Sequence, residues 1–318
     1  MKEKNMSYKP LTFKSIRELT APHSWPASIL PVLLAGALSY TLYHSFSLIY
    51  FLLLLTISIL MQCAVNTFND YFDFVKGTDT EDNFFDETDA SIIYNRINPQ
   101  SAFKTGMAFL CLALSGGLFL VYQFGWPLLV IGFLGAFTVY FYSGGPYPIS
   151  YLPIGEFVSG FMMGGLLPLA AVYVLSNQLI WETLYYCSPL IISIGLILLT
   201  NNTCDIERDT VSGRHTLTIL LGKKLSGRLL FFGFLLVIAA IAHLSFYHFR
   251  HVFWIVLFLA IHSVLFLKRI WQMEFTAINR SNAMMTTLKL TAITNSYYLL
   301  IVFLASIDKL KDLDWLFG

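Results

Sequence analysis

Charged residues are scarce in this sequence. Only 12% of its 318 residues are Asp, Glu, Lys or Arg, whereas 56% are hydrophobic. Soluble domains carry about 25% charged residues, so this composition indicates a protein embedded in the lipid bilayer, and no nucleic-acid partner is expected. The apolar runs are long and continuous and lack the alternation of a transmembrane barrel, which predicts an all-α fold.

Cysteine is also scarce. The sequence contains no CxxC motif and no histidine at metal-ligand spacing from a cysteine, which argues against a disulfide framework and a zinc site. The four cysteines are Cys63, Cys111, Cys187 and Cys204. The N-terminal residues are polar and basic and lack the apolar core and cleavage site of a signal peptide, so no cleaved leader is expected.

Apolar segments of membrane-spanning length are plentiful. A transmembrane helix needs about 20 residues, and nine segments come close to this length. They lie at about 25–43, 47–69, 104–122, 126–143, 153–175, 184–201, 229–247, 252–267 and 290–306. We therefore predict a single membrane domain over residues 1–318, built as a polytopic bundle of nine transmembrane helices.

The basic residues predict the orientation of this bundle. With the N-terminus in the cytoplasm, all but three of the 20 Lys and Arg residues fall in cytoplasmic segments. The positive-inside rule therefore predicts a cytoplasmic segment over residues 1–24 and a multi-pass protein of the cell membrane. Residues 70–103 and 202–228 are expected to be cytoplasmic active-site loops, so the active site should face the cytoplasm.

Acidic residues are concentrated in two clusters. The first acidic cluster, Asn66–Asp89, holds eight of the 19 Asp and Glu residues, and the second acidic cluster is Asp205–Asp209. Each follows an apolar run of membrane length, where acidic residues are costly and a functional role is the default hypothesis. Both clusters lie on the predicted cytoplasmic side, so we expect them to form one site.

The spacing within the clusters suits a metal ion. Three pairs lie four residues apart and would share one helix face: Asn66 with Asp70, Asn69 with Asp73, and Asp205 with Asp209. Gly77 is expected to end the first helix and return Asp79 toward the same point. Mg2+ is usually held by one or two carboxylates together with phosphate oxygens of a substrate. The predicted metal ligands are Asn69, Asp73, Asp79, Asp205 and Asp209.

Basic and amide side chains beside the clusters suit a diphosphate. Lys76, Arg208 and Arg214 can neutralise its charge, although basic residues here also satisfy the positive-inside rule, and Arg214 is the strongest candidate. The predicted diphosphate-binding residues are Asn69, Lys76, Asn201, Asn202, Arg208 and Arg214. The predicted catalytic residues are Asp70, Asp73, Asp205, Asp209 and Arg214. The acidic residues from Glu81 to Asp89 are equally well explained as a solvated loop, or as part of a lid over residues 80–100.

Three sequence motifs resemble the UbiA superfamily of intramembrane prenyltransferases. The family motif NDxxDxxxD is matched by Asn69–Asp73, followed by Gly77 and Asp79 in place of the last Asp. The second motif, Asn201–Asp209, and the following Gly213–Leu217 are similar to the 1,4-dihydroxy-2-naphthoate polyprenyltransferase branch. A third match is YSGGPYP at 142–148 with Gly155 and Glu156.

This resemblance implies a function. Members of the branch transfer a polyprenyl group from an allylic prenyl diphosphate to 1,4-dihydroxy-2-naphthoate with Mg2+ as cofactor, which serves menaquinone synthesis. Glu156 would either cap a helix or help to shape the aromatic site. The chain departs from the branch after the first motif, and its Val158–Leu175 segment is richer in Gly and Met, so another acceptor stays open.

Two alternatives remain. One is the same fold with a hydroxybenzoate, haem or terpenoid acceptor or product, although the hydroxybenzoate type generally carries basic residues that Ser143–Pro148 lacks. The other is a cation-coupled transporter. Transport sites usually lie near the bilayer midplane on broken helices, whereas both acidic clusters are predicted at one membrane face. The sequence therefore favours the prenyltransferase.

Overall fold

The structure of the chain is a computed structural model that describes residues 8–79 and 90–311. In these ranges the secondary structure is helical, apart from one isolated bridge between Lys9 and Ile97. The α-helices are α1 (Phe13–Leu19), α2 (Pro26–Tyr43), α3 (Leu48–Val75), α4 (Ser91–Tyr94), α5 (Pro99–Phe124), α6 (Trp126–Phe141), α7 (Gly155–Phe161), α8 (Leu167–Ser176), α9 (Glu182–Tyr186), α10 (Ser188–Cys204), α11 (Ile206–Val211), α12 (Leu217–His248), α13 (Ile255–Trp271) and α14 (Arg280–Lys311).

Every predicted apolar segment contains helix, and the all-α expectation is confirmed. Within the described ranges, six helical segments are long and apolar enough to cross a membrane. Three further helices, α6, α10 and α13, have 16, 17 and 17 residues. At 1.5 Å per residue these rise about 24–26 Å, less than the roughly 30 Å of a hydrocarbon core. The count of nine crossings therefore stays a prediction.

The helices extend further into the predicted cytoplasmic loops than their apolar runs do. Helix α3 continues to Val75, so Asp70 and Asp73 lie on its last turns rather than in a loop. In the segment 202–228, α10, α11 and the start of α12 leave only short connections. The loops predicted at 70–103 and 202–228 therefore include residues that are helical in the structure. Polar residues at the end of a helix continue its backbone hydrogen bonds, so the helix extends beyond the apolar run that predicts it.

The two largest buried clusters of side chains in the described residues join the long helices. The larger lies between α2, α10, α12, α13 and α14 and includes Phe234 and Tyr298. The second lies between α2, α3, α5, α6 and α8. Helix α14 packs against α2, α10 and α13, so the last helix of the described residues lies against the first long one. This packing also carries the beginning of α14 to the end of α10.

Helices α7 and α10 approach each other unusually closely. A Cβ atom on Gly160 would lie 2.3 Å from the carbonyl oxygen of Ile191, and one on Gly195 would lie 2.9 Å from the carbonyl oxygen of Glu156. Small residues permit such backbone approach between membrane helices. Directly after α7, Met162–Leu166 forms a π-helical turn, a feature often found near functional sites. The contact fixes α7 against the first half of α10.

Gly160→Ala is expected to destabilise the fold by about 1–3 kcal/mol, the usual cost of overpacking, because backbone atoms must shift to admit the methyl group. The measurement is the temperature at which the buried thiols of Cys63, Cys187 and Cys204 become reactive to a maleimide dye, with the exposed Cys111 as the constant background. The matched control is Gly132→Ala, whose added Cβ would meet no atom within 4 Å. Equal melting temperatures for the two variants would contradict the close contact.

Candidate functional site

The first acidic cluster turns back on itself at Gly77, as the sequence predicts. Gly77 has a φ of +72°, a backbone conformation that side chains rarely adopt. After it, the backbone N–H groups of Thr78 and Asp79 donate to the carbonyl oxygen of Asp73 at 2.9 and 3.2 Å. This helix-terminating turn buries Asp79 beside Asp73.

The second acidic cluster ends in a turn of the same kind. Gly213 also has a φ of +72° and stands four residues after Asp209, as Gly77 stands four residues after Asp73. The backbone N–H of Arg214 donates to the carbonyl oxygen of Asp209 at 2.9 Å, matching the bond from Thr78 to Asp73. The two clusters therefore share one local structure, which the second uses to place an arginine where the first has a threonine.

Two arginines of the second cluster region bridge to the first. Arg214 donates from Nη2 to Asp73 Oδ1 and places Nη1 3.3 Å from Asp209 Oδ1. Arg208 donates from Nη2 to Asp205 Oδ2 at 2.7 Å and places Nη1 3.6 Å from Asp79 Oδ1. Each guanidinium thus contacts one carboxylate from each cluster. The two clusters form a single site, which we call the bridged site (Asp73, Asp79, Asp205, Asp209, Arg208 and Arg214).

A third arginine, Arg280, joins the bridged site from the first turn of α14. Its Nε lies 3.1 Å from Asp205 Oδ2, and its Nη2 donates to Asn201 Oδ1 at 2.6 Å. The sequence analysis missed Arg280 as a site residue because it used this arginine only as one of the basic residues that predict the membrane orientation. One signal was available: a basic residue in the first turn of a helix opposes the helix dipole, so it needs another partner.

Two predicted residues, Asn69 and Lys76, lie at the exposed edge of the site. Lys76 Nζ donates to the carbonyl oxygen of Ser143 at 2.7 Å, and Ser143 Oγ donates to Asn69 Oδ1 at 2.7 Å. Lys76 Nζ also lies 5.0 Å from the ring centroid of Tyr151, which Arg214 faces at the same distance. Burial lowers the pKa of Lys76. These contacts place the YSGGPYP turn beside the bridged site.

Three other predicted residues make their contacts outside the bridged site. Asp70 is buried against the backbone of Ser91 and Ile92 at the start of α4. Asn66, its predicted companion, donates to the carbonyl oxygen of Thr20 at 2.8 Å and so fastens α3 to the N-terminal segment. Asn202 Nδ2 donates to Glu156 Oε1 at 2.8 Å rather than to the bridged site. The lid interpretation of residues 80–100 lies partly outside the described residues, since 80–89 are not described.

The electrostatics of the bridged site favour an added cation. Burial raises the pKa of Asp79 to about 7 despite the opposing charge of Arg208. Burial likewise raises the pKa of Asp205 to about 7. Burial disfavours the charge on Arg214, but the attraction of Asp73 and Asp209 outweighs it and raises the pKa of the guanidinium. Ionising all the carboxylates is therefore costly with the arginines alone.

The donor set suits a hard cation that is shared with a substrate. Among the described residues, no three acidic, histidine or cysteine side chains converge on one point. Mg2+, however, usually takes one or two carboxylates and completes its shell with phosphate oxygens and water. Asp209 Oδ2 is buried and has no hydrogen-bond partner in the described part of the chain. The site thus offers free carboxylate oxygen but no complete protein cage.

Sequence comparison identifies relatives of this chain. The chain is 35% identical over 207 residues to the 1,4-dihydroxy-2-naphthoate octaprenyltransferase of Bacillus subtilis, covering 65% of this chain and 66% of the relative. It is 32% identical over 211 residues to the UbiA prenyltransferase domain-containing protein 1 homolog of Drosophila melanogaster, covering 64% of this chain. The match spans 57% of that relative, so in both cases less than two thirds of the relative's length is covered.

The fold is also found among solved structures. A UbiA homolog from Archaeoglobus fulgidus bound to DMAPP and Mg2+ superimposes with a TM-score of 0.63 and 14% identity, covering 91% of this chain and 99% of that chain. At this identity the likeness establishes the fold alone. The model of the UbiA prenyltransferase family matches residues 28–293. The chain is thus a member of the UbiA prenyltransferase family, a family of enzymes.

Proposed function

We propose that this enzyme transfers a polyprenyl group from an allylic prenyl diphosphate to 1,4-dihydroxy-2-naphthoate, giving demethylmenaquinone. The observation that carries the proposal is the pair of arginines that bridge the two acidic clusters. A site that combines several carboxylates with guanidinium groups suits a diphosphate that binds together with a divalent cation. The acceptor is chosen for the likeness to the Bacillus subtilis enzyme.

The residues of the bridged site have distinct proposed tasks. Asp73, Asp79, Asp205 and Asp209 would hold Mg2+, and Arg208, Arg214 and Arg280 would bind the diphosphate. The chemistry that Mg2+ supplies when bound is stabilisation of the negative charge that develops on the leaving diphosphate. Each arginine has two acceptors in this structure. It can therefore release one for a phosphate oxygen while the other keeps it in position.

The surroundings would protect the reactive prenyl group. Once the allylic C–O bond breaks, the electron-deficient prenyl carbon must be kept from water until a ring carbon of the acceptor attacks it. The Tyr151 ring lies against Arg214 and Lys76, and the Phe72 ring, which contacts Tyr140, also lies against Lys76. Such ring faces stabilise positive charge and exclude water.

The proposed topology follows from the charge distribution. We propose that nine helices cross the membrane, that residues 1–318 form one domain and that the N-terminus is cytoplasmic. The bridged site would then open at the cytoplasmic face of the cell membrane. Supporting this, Arg208, Arg214 and Arg280 lie on the side that the positive-inside rule assigns to the cytoplasm.

The test is an assay of purified protein in lipid nanodiscs with a long-chain prenyl diphosphate and a panel of aromatic acids, with products identified by mass spectrometry. We expect transfer to 1,4-dihydroxy-2-naphthoate with loss of its carboxyl group as carbon dioxide. EDTA should stop the reaction and added Mg2+ should restore it, because the carboxylates are short of positive charge. Transfer to a different acceptor would refute the proposed substrate, and turnover in EDTA would refute the metal requirement.

A further inference from the structure

Glu156 is a buried carboxylate that the bridged site leaves unused. It lies in the first turn of α7 and is only 7% exposed. Its Oε1 accepts a hydrogen bond from Asn202 Nδ2 at 2.8 Å. Its Oε2 is buried and has no hydrogen-bond partner within the described part of the chain. A buried acceptor left unsatisfied costs about 1–3 kcal/mol, so this oxygen calls for a partner.

The surroundings of Glu156 place it at the edge of the bridged site. Its negative charge helps to raise the pKa of Asp209, after the larger effect of burial. Glu156 also interacts electrostatically with the neighbouring Tyr142. The phenolic oxygen of Tyr142 lies 3.4 Å from the position that a Cβ on Gly155 would take. A carboxylate oxygen accepts hydrogen bonds or binds a cation, so the partner that Oε2 lacks is a hydrogen-bond donor or a cation.

Packing fixes the position of this carboxylate. The carbonyl oxygen of Glu156 lies against Gly195 of α10, which leaves no room for a side chain there. Asn202, which holds Oε1, is itself held by a hydrogen bond from Thr218 Oγ1 to its carbonyl oxygen at 3.0 Å. A group supported on both sides in this way is preorganised for its task. A residue that merely capped α7 would not need its side chain anchored by α10.

We propose that Glu156 binds the ring hydroxyl of the aromatic acceptor and takes its proton during prenyl transfer, with Asn202 as its positioning residue. The inference rests on the proposed function and deepens it by naming the group that activates the acceptor. A neutral hydroxyl is the donor that Oε2 lacks, and a hydroxyl on the ring is what makes its neighbouring carbon nucleophilic.

The step balances without a further reagent. The hydroxyl proton moves to Glu156 Oε2 while the adjacent ring carbon forms a bond to C1 of the prenyl group. The C1–O bond breaks and its electron pair leaves with the diphosphate. The resulting ring ketone loses its neighbouring carboxylate as carbon dioxide. The enolate that remains takes the proton back from Glu156 and becomes the aromatic quinol.

The test compares Glu156→Gln with the wild-type enzyme in nanodiscs containing Mg2+. Gln keeps the shape and the hydrogen bond to Asn202 available but cannot accept a proton. Transfer to 1,4-dihydroxy-2-naphthoate should fall by about 10²–10⁴-fold, the range of a lost general base. Binding of a non-reactive prenyl thiolodiphosphate, measured as the rise in unfolding temperature, should be unchanged. The matched control is Glu182→Gln, an exposed glutamate in the first turn of α9, which should keep full activity.

A series of acceptors with increasingly acidic ring hydroxyls distinguishes a role of Glu156 in proton transfer from a role in shaping the acceptor site. An acceptor that is already ionised needs no base, so the deficit of Glu156→Gln should shrink steadily along the series. A constant deficit, transfer within threefold of wild type, or loss of thiolodiphosphate binding would each overturn the inference. Failure of the wild-type enzyme itself to prenylate any hydroxylated ring would instead refute the proposed function, so the two failures are distinguishable.

Discussion

Asp205→Asn is expected to lower turnover by about 10³-fold, because it removes a carboxylate that serves both the metal ion and the arginines. Asp205 is only 4% exposed and accepts Arg208 and Arg280 on the same oxygen. An asparagine of the same shape has no charge to balance two guanidinium groups. It is also a weaker ligand for a hard cation, so the Mg2+ concentration for half-maximal rate should rise.

The matched control for this variant lies two residues away. Glu207→Gln also removes one negative charge, from the helix α11 that begins directly after Asp205, but the Glu207 side chain is 71% exposed and pairs with Lys223. Exposed ion pairs contribute at most about 1 kcal/mol, so its turnover should stay within a few-fold of wild type. The measurement is the initial rate of product formation over a titration of Mg2+. Near-normal turnover of Asp205→Asn would remove this residue from the site.

Arg214→Gln is expected to abolish detectable transfer and to destabilise the fold as well. The side chain is 8% exposed and contacts Asp73 and Asp209, both buried. Breaking a buried ion pair by removing one partner costs about 3–5 kcal/mol, because a buried charge is left without compensation. Arg214→Lys should not restore activity, since one ammonium group cannot replace a fork that reaches two carboxylates.

A double variant separates the two effects of losing Arg214. Adding Asp73→Asn to Arg214→Gln removes the negative charge that the first substitution left unpaired. The double variant should therefore unfold at a higher temperature than Arg214→Gln alone, while activity stays absent. Arg228→Gln, at an exposed position in α12, is the control and should leave both quantities unchanged. If the double variant is as unstable as the sum of the two single variants, the ion pair does not contribute as the geometry indicates.

Much of this architecture is predictable from local sequence. Apolar runs locate the helices, and the turn that returns Asp79 to Asp73 is predicted because glycine tolerates the left-handed conformation that ends a helix. The ends of α3 and α12 are less well predicted because hydropathy does not register polar helical turns. Arg280 and the bond from Asn202 to Glu156 escape prediction for another reason. They depend on which helices pack together, and a single sequence does not encode that choice in any local pattern.

The position of Arg280 on α14, far along the chain from Asp205, has a consequence for how the protein is made. Chains generally fold from the N-terminus as they are synthesised. Asp205 and Arg208 lie three residues apart in sequence, and Asp209 and Arg214 lie five apart, so these two pairs can form early. Arg280 reaches Asp205 and Asn201 only when α14 docks against α10. The contacts of Arg280 in the site therefore form only after α14 has docked, and a chain that stops before α14 would lack this arginine.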